Sequence, residues 1–168
     1  MHPATFSVQK ETRLSRPAGE KSHYYVIFRI DSQRYALPLD HVVRVLRMVA
    51  ITPVPEMPEW VLGIINMAGQ TLPVLDPRRL FSQKNQDPEL QDRILILQVQ
   101  EQTVAVVVDE VLSILEFTSE QIEAPPPALS HSLALAATIQ QDDALVMVLD
   151  VYRLLPEKIE GNFNKETL

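Results

Sequence analysis

The chain repeats itself, and a repeat limits the fold more than any composition does. Phe28–Leu46 lies over Leu97–Leu115 at a constant offset of 69, without a gap. Val26, Phe28 and Ile30 fall on Leu95, Leu97 and Val99, and Asp40 falls on Asp109. A second stretch repeats at offset 74, with Leu72–Asp76 over Val146–Asp150. Both stretches are rich in β-branched residues and alternate apolar with polar, which is the pattern of half-buried strands. Two copies of a β-rich unit predict two similar halves, a seam between them and little room for catalytic machinery. That organisation points to a scaffold or binding module.

At 168 residues each copy is too small to be comfortable alone, so the halves are expected to share an interface. The pseudo-repeats run over about 24–81 and 93–155, within a domain over 23–155. A flexible polar arm is expected over 1–22 and a polar tail over 156–168. There is no cysteine, hence no disulfide and no thiol chemistry. The net charge of -7 argues against a nucleic-acid partner held through phosphates. The N-terminus lacks the apolar core of a signal peptide, and the longest apolar runs, such as Val104–Val108, are too short to span a bilayer. A cytoplasmic protein with no direct membrane insertion is the expectation.

Along the chain, Tyr24–Ile30 and Tyr35–Leu39 read as paired strands, with Pro38 marking an edge or a strand end. Arg44–Val54 reads as extended, and Pro53, Pro55 and Pro58 stop regular pairing. The run Gly63–Gln70 is a strand and turn leading into Thr71–Leu75. Asp76 is placed to cap a short helix with Pro77 at its first position. Ser82–Asp92 connects the copies. Thr118–Gln121 suits one helical turn, Pro125–Pro127 an extended exposed path, and Asp150 repeats the Asp76 cap. The total is about ten short strands and a few short helices, which favours small antiparallel barrels.

Sites of chemistry are scarce. Only four glycines are present and no phosphate loop is formed. The four histidines are scattered without ligand spacing, so no metal and no cofactor is expected. Asp40, Asp76, Asp109 and Asp150 occupy equivalent turns of their copies, which reads as capping rather than catalysis. Trp60, the single tryptophan, suits either an interface anchor or a plug over one barrel end. The arginine pairs Arg44/Arg47 and Arg78/Arg79 read as solvated faces. No enzyme is expected.

The segments YALPLDHVVRVLR, VPEMPEWVLGIINMAGQTLPVLDPRRLF and RILILQVQEQTVAVVVDEVLSIL closely resemble the CheW family of chemotaxis coupling proteins. The resemblance covers about Tyr24–Leu155. It implies an all-β fold of two intertwined five-stranded SH3-like β-barrels with a few short helices. It also implies a non-catalytic adaptor that joins the cytoplasmic tip of chemoreceptors to the regulatory domain of a CheA-type histidine kinase. Such an adaptor is expected to be a monomer on its own and part of a larger array. Val42, Arg44, Leu46, Asn66, Ala68, Val106 and Val108 become receptor-binding candidates, with the receptor hairpin in the groove between barrels. Trp60 and Gly63 become kinase-binding candidates.

Two departures stand out. The family usually carries N-x-R-G in the middle loop, where this chain has Asn66-Met67-Ala68-Gly69. An acidic residue on the third strand is replaced by Arg44. An exposed ion pair contributes only ~0–1 kcal/mol, so the fold is expected to survive its loss. Specificity is more sensitive, because like charges facing a partner cost affinity. The alternative reading is therefore a diverged adaptor that binds only one partner, as a decoy or competitor, or serves a non-flagellar system such as pilus motility.

Overall fold

A computed structural model describes residues 21–81, 86–129 and 135–155. Its first copy holds β1 (Ser22–Ile30), β2 (Gln33–Pro38), β3 (Val42–Arg47), β4 (Val61–Met67), β5 (Gln70–Leu75) and α1 (Pro77–Phe81). The second holds β6 (Arg93–Val99), β7 (Gln102–Val108), β8 (Glu110–Thr118), β9 (Ile122–Glu123), β10 (Leu135–Gln141), β11 (Ala144–Leu149) and α2 (Val151–Leu154). Residues 1–20 of the expected arm and all of the expected tail lie outside the described residues. Among the latter, no helix is long and apolar enough to cross a membrane.

The strands form a six-stranded sheet, β8-β1-β2-β11-β10-β9, and a five-stranded sheet, β3-β6-β7-β5-β4. The sixth strand is the two-residue β9. Each sheet thus contains the opening hairpin of the other copy: β1–β2 pairs into the second copy, and β6–β7 into the first. Burial explains why these hairpins are the exchanged ones. Val26, Phe28 and Ile30 of β1 enter a core shared by both sheets, together with Leu95, Leu97, Val104, Val106 and Val108 of β6 and β7. The opposite faces enter separate cores, Tyr25 and Ile27 in one barrel and Ile94, Ile96, Ala105 and Val107 in the other. Strands covered on both faces read as nearly continuous apolar runs.

The duplication persists at single-residue resolution. Val42 pairs with Leu97, and the offset of 69 maps that pair onto Phe28 and Val111, which also pair. The parallel pairs Ala36–Val148 and Val74–Ala105 correspond likewise. Register slips at Val43 in β3 and at Leu112 in β8, and again at Leu62 and Ala136, so bulges recur at equivalent places. Even the left-handed turn residues match: Asp31 (φ 54°) with Gln100 (φ 56°), and Ala68 (φ 52°) with Asp142 (φ 51°).

Several local expectations change. Pro38 ends β2, a central strand, so it marks a strand end and not an edge. Regular pairing of the third strand stops at Arg47, and beyond it Thr52 makes an isolated bridge to Ile64. Pro127 opens a 3-10 turn through Leu129 instead of continuing an extended path. Asp76 and Asp150 do cap, accepting the amides of Arg78 and Tyr152 at 3.0 Å. Asp40 caps nothing, because its 3-10 turn starts after Pro38 and has no side-chain cap. Thr118 precedes the expected turn, its amide donating to Gln121 Oε1 at 2.8 Å.

Candidate functional site

One edge strand of each sheet, β3 and β8, flanks an open groove of about 610 Å³. Its apolar lining comes from Val26, Val45, Leu46, Val111, Leu112 and Ile114. Leu112 and Ile114 remain 39% and 43% exposed, and with the neighbouring lining residues they leave a contiguous apolar strip open to solvent. One end is charged, with Arg29, Arg47, Arg93, Asp109 and Glu110 along it.

Beneath that end lies a buried ion cluster. Arg78, 5% exposed, donates from Nε and Nη2 to the two oxygens of Asp76 at 3.0 and 3.2 Å. Its Nη1 reaches Asp92 Oδ2 and Asp109 Oδ1, both at 3.1 Å. The other Asp109 oxygen accepts the Asp31 amide at 2.8 Å and Arg29 Nη1 at 3.2 Å. Burial opposes the charge on Arg78, but the bond to Asp76 and the fields of Asp76, Asp92 and Asp109 outweigh it, so the guanidinium holds its proton more tightly than usual. Arg78 is therefore no solvated residue, and Asp109 is an ionic hub instead of a helix cap. Spacing shows that an acid recurs at this turn, but not that four charges converge on it.

The expected receptor residues divide. Leu46 lines the groove. Val42, Val106 and Val108 are 8%, 1% and 0% exposed, and all belong to the shared core and not to the groove lining. Arg44 is exposed on β3 and by strand alternation shares the face of Leu46, though it is not among the groove-lining residues. Asn66 and Ala68 sit together at the β4–β5 hairpin. Asn66 Oδ1 accepts the Gly69 amide at 3.1 Å, and positive φ at both Ala68 and Gly69 (81°) matches a type I′ turn. β4 and β3 are opposite margins of the five-stranded sheet. The lining residues on β8 have a signal in the repeat, since offset 69 carries Val42 onto Val111.

Trp60 is partly buried against the shared core, beside Leu75, Pro77 and Leu80. Its carbonyl accepts the Asp76 amide at 2.7 Å. Gly63 is buried with φ 148°, and a Cβ there would lie 2.1 Å from the carbonyl oxygen of Thr52. Glycine is needed so that residues 52–53 can cross β4.

The profile of the CheW-like domain matches residues 24–158. The chain belongs to the CheW family. It is 27% identical over 153 residues to the chemotaxis protein CheW of Helicobacter pylori, covering 89% of this chain and 93% of that one. It is 32% identical over 108 residues to a probable chemotaxis protein CheW of Rhizobium etli, covering 64% and 69%. The crystal structure of the scaffolding protein TtCheW from Thermoanaerobacter tengcongensis superimposes with a TM-score of 0.74 at 27% identity, covering 80% of this chain and 92% of that one. As a CheW-family protein the chain is a non-catalytic coupling adaptor of chemotaxis or a related chemosensory pathway. Among the described residues, no group of three or more histidine and acidic side chains is arranged to hold a metal.

Proposed function

We propose that the chain couples the cytoplasmic tip of a chemoreceptor to the regulatory domain of a CheA-type histidine kinase, working in the cytoplasm. The receptor hairpin docks in the groove between β3 and β8, and the kinase domain docks at the barrel end around Trp60. The observation that carries this reading is the apolar lining left open between two equivalent sheet edges. Leu112 and Ile114 are about two-fifths exposed, so covering each contributes about 1 kcal/mol. A handful of such contacts, offset by association entropy, gives modest single-site affinity. Linkage of many adaptors in one array then raises avidity without new contacts.

Co-sedimentation of the full chain with receptor-tip fragments and with the kinase tests the reading. Leu112→Glu with Ile114→Glu is expected to remove receptor binding and leave kinase binding intact. Failure of the parent chain to bind either partner would refute it.

The exposed Arg44, together with Ala68, favours a second reading in which receptor choice has changed or only one partner is bound. Arg44→Glu with Ala68→Arg then increases binding to receptors of the usual type, and unchanged binding rejects this account.

A further inference from the structure

We propose that Arg78 is a positioning residue for the groove, fixing its charged end without touching what binds there. The guanidinium holds two segments that form that end. One is 91–93: Asp92 bonds Arg78, while its neighbours Gln91 and Arg93 line the groove. The other is Asp109–Glu110, where Asp109 receives Arg78 on one oxygen and Arg29 with the Asp31 amide on the other.

These segments join different sheets. Residues 91–93 lead into β6 of the five-stranded sheet. Asp109 ends β7, and the chain there crosses to β8 of the six-stranded sheet, which also contains Arg29. A planar guanidinium with five donors in fixed directions can set the relative placement of three carboxylates, which a single ammonium cannot. Asp76, fully buried and gripping Arg78 through two bonds, anchors the cation from α1. Without the cation, Asp92 and Asp109 would repel one another and turn toward water, and the groove is the open side next to them.

The duplication separates this role from a general demand of the fold. At the equivalent junction of the other copy, the repeat places Tyr152 where Arg78 stands and Asp40 where Asp109 stands. Tyr152 is 53% exposed, and Asp40 is exposed as well. Among the described residues that junction holds no buried cation, so the cluster serves something particular to its own end.

The consequence for binding rests on the docking reading above, whereas the geometric test does not. Because the chain has no cysteine, Gln91→Cys and Ser113→Cys place two spin labels on opposite walls of the full-length protein. Double electron–electron resonance is expected to give one narrow distance distribution in this labelled parent. Arg78→Met with Asp76→Asn and Asp92→Asn removes the buried charges together, which preserves folding better than removing one partner. It is expected to broaden the distribution well below its melting temperature. Asp92→Asn alone leaves Arg78 on Asp76 and Asp109, and is expected to broaden it less. Parent-like widths in the folded variants overturn the proposal, and Asp92→Asn decides it if the triple variant does not fold. Receptor-tip binding, measured alongside, is expected to weaken several-fold in the broadened variants. No binding by the unsubstituted protein defeats the docking reading only, and unchanged widths defeat this one only.

Discussion

Gly63→Ala offers the sharpest test of the barrel construction. A Cβ at Gly63 would lie 2.1 Å from Thr52 O, 2.7 Å from Thr52 C and 2.9 Å from Pro53 Cα. These are backbone atoms, so relief requires residues 52–53 to move off β4. That movement breaks the reciprocal bonds Thr52 N–H to Ile64 O and Ile64 N–H to Thr52 O, both 2.9 Å. Each is worth about 1 kcal/mol net. Holding alanine at φ 148° adds about 1–2 kcal/mol of backbone strain. The sum is about 3–4 kcal/mol, or about 10 °C in melting temperature for a chain of this size. Urea unfolding followed through Trp60, the single tryptophan, reports it directly. Gly63→Ser is expected to match Gly63→Ala, because the Cβ is the offending atom. Gly69→Ala meets nothing within 4 Å and is expected to cost only about 1 kcal/mol from its positive φ. A loss below about 1 kcal/mol for Gly63→Ala would refute the close crossing of these segments.

Three further outcomes are expected. Ala68→Gly relieves left-handed strain at the first position of the β4–β5 turn and raises stability by about 0.5–1 kcal/mol, read as a higher urea midpoint with unchanged slope. Arg78→Met alone takes the shared cation from three carboxylates, two of them buried, and destabilises by about 3–5 kcal/mol in the same assay, more than the triple variant that neutralises Asp76 and Asp92 with it. Burial raises the phenols of Tyr25 and Tyr35 above 10.0, with Asp31 adding to the effect at Tyr35. The fold therefore favours their neutral form, so this contribution is complete below pH 10 and fades as pH climbs through the higher folded values. Alkaline titration at 295 nm should show two tyrosines ionising late, in step with loss of stability.

Much of the architecture was legible in the chain. Residues aligned by the ungapped offsets of 69 and 74 share pairings, bulges and turn conformations in the structure. The exchange of hairpins was not visible in alternation alone. The run Val104–Val108 is apolar throughout because one face meets the shared core and the other a barrel core. Such a run does not reveal which neighbour covers which face. For the same reason Val106 and Val108 resembled groove residues while lying fully inside. Arg78 departs from the solvated face expected of a charged residue on a short helix, because only tertiary contact brings Asp92 and Asp109 to it. The groove itself was half legible: a symmetric chain that uses β3 for one wall must use β8 for the other.

The matched bulges at Val43 and Leu112 have a practical result. One margin of each sheet, β3 and β8, borders the same cleft, and each is offset by one residue at an equivalent point. A flat margin would template another chain and invite fibrous growth. An ancestral unit that already carried the offset would pass it to both copies on duplication, protecting two vulnerable borders with one inherited irregularity. Crowding many such molecules side by side then carries less danger of their zipping together.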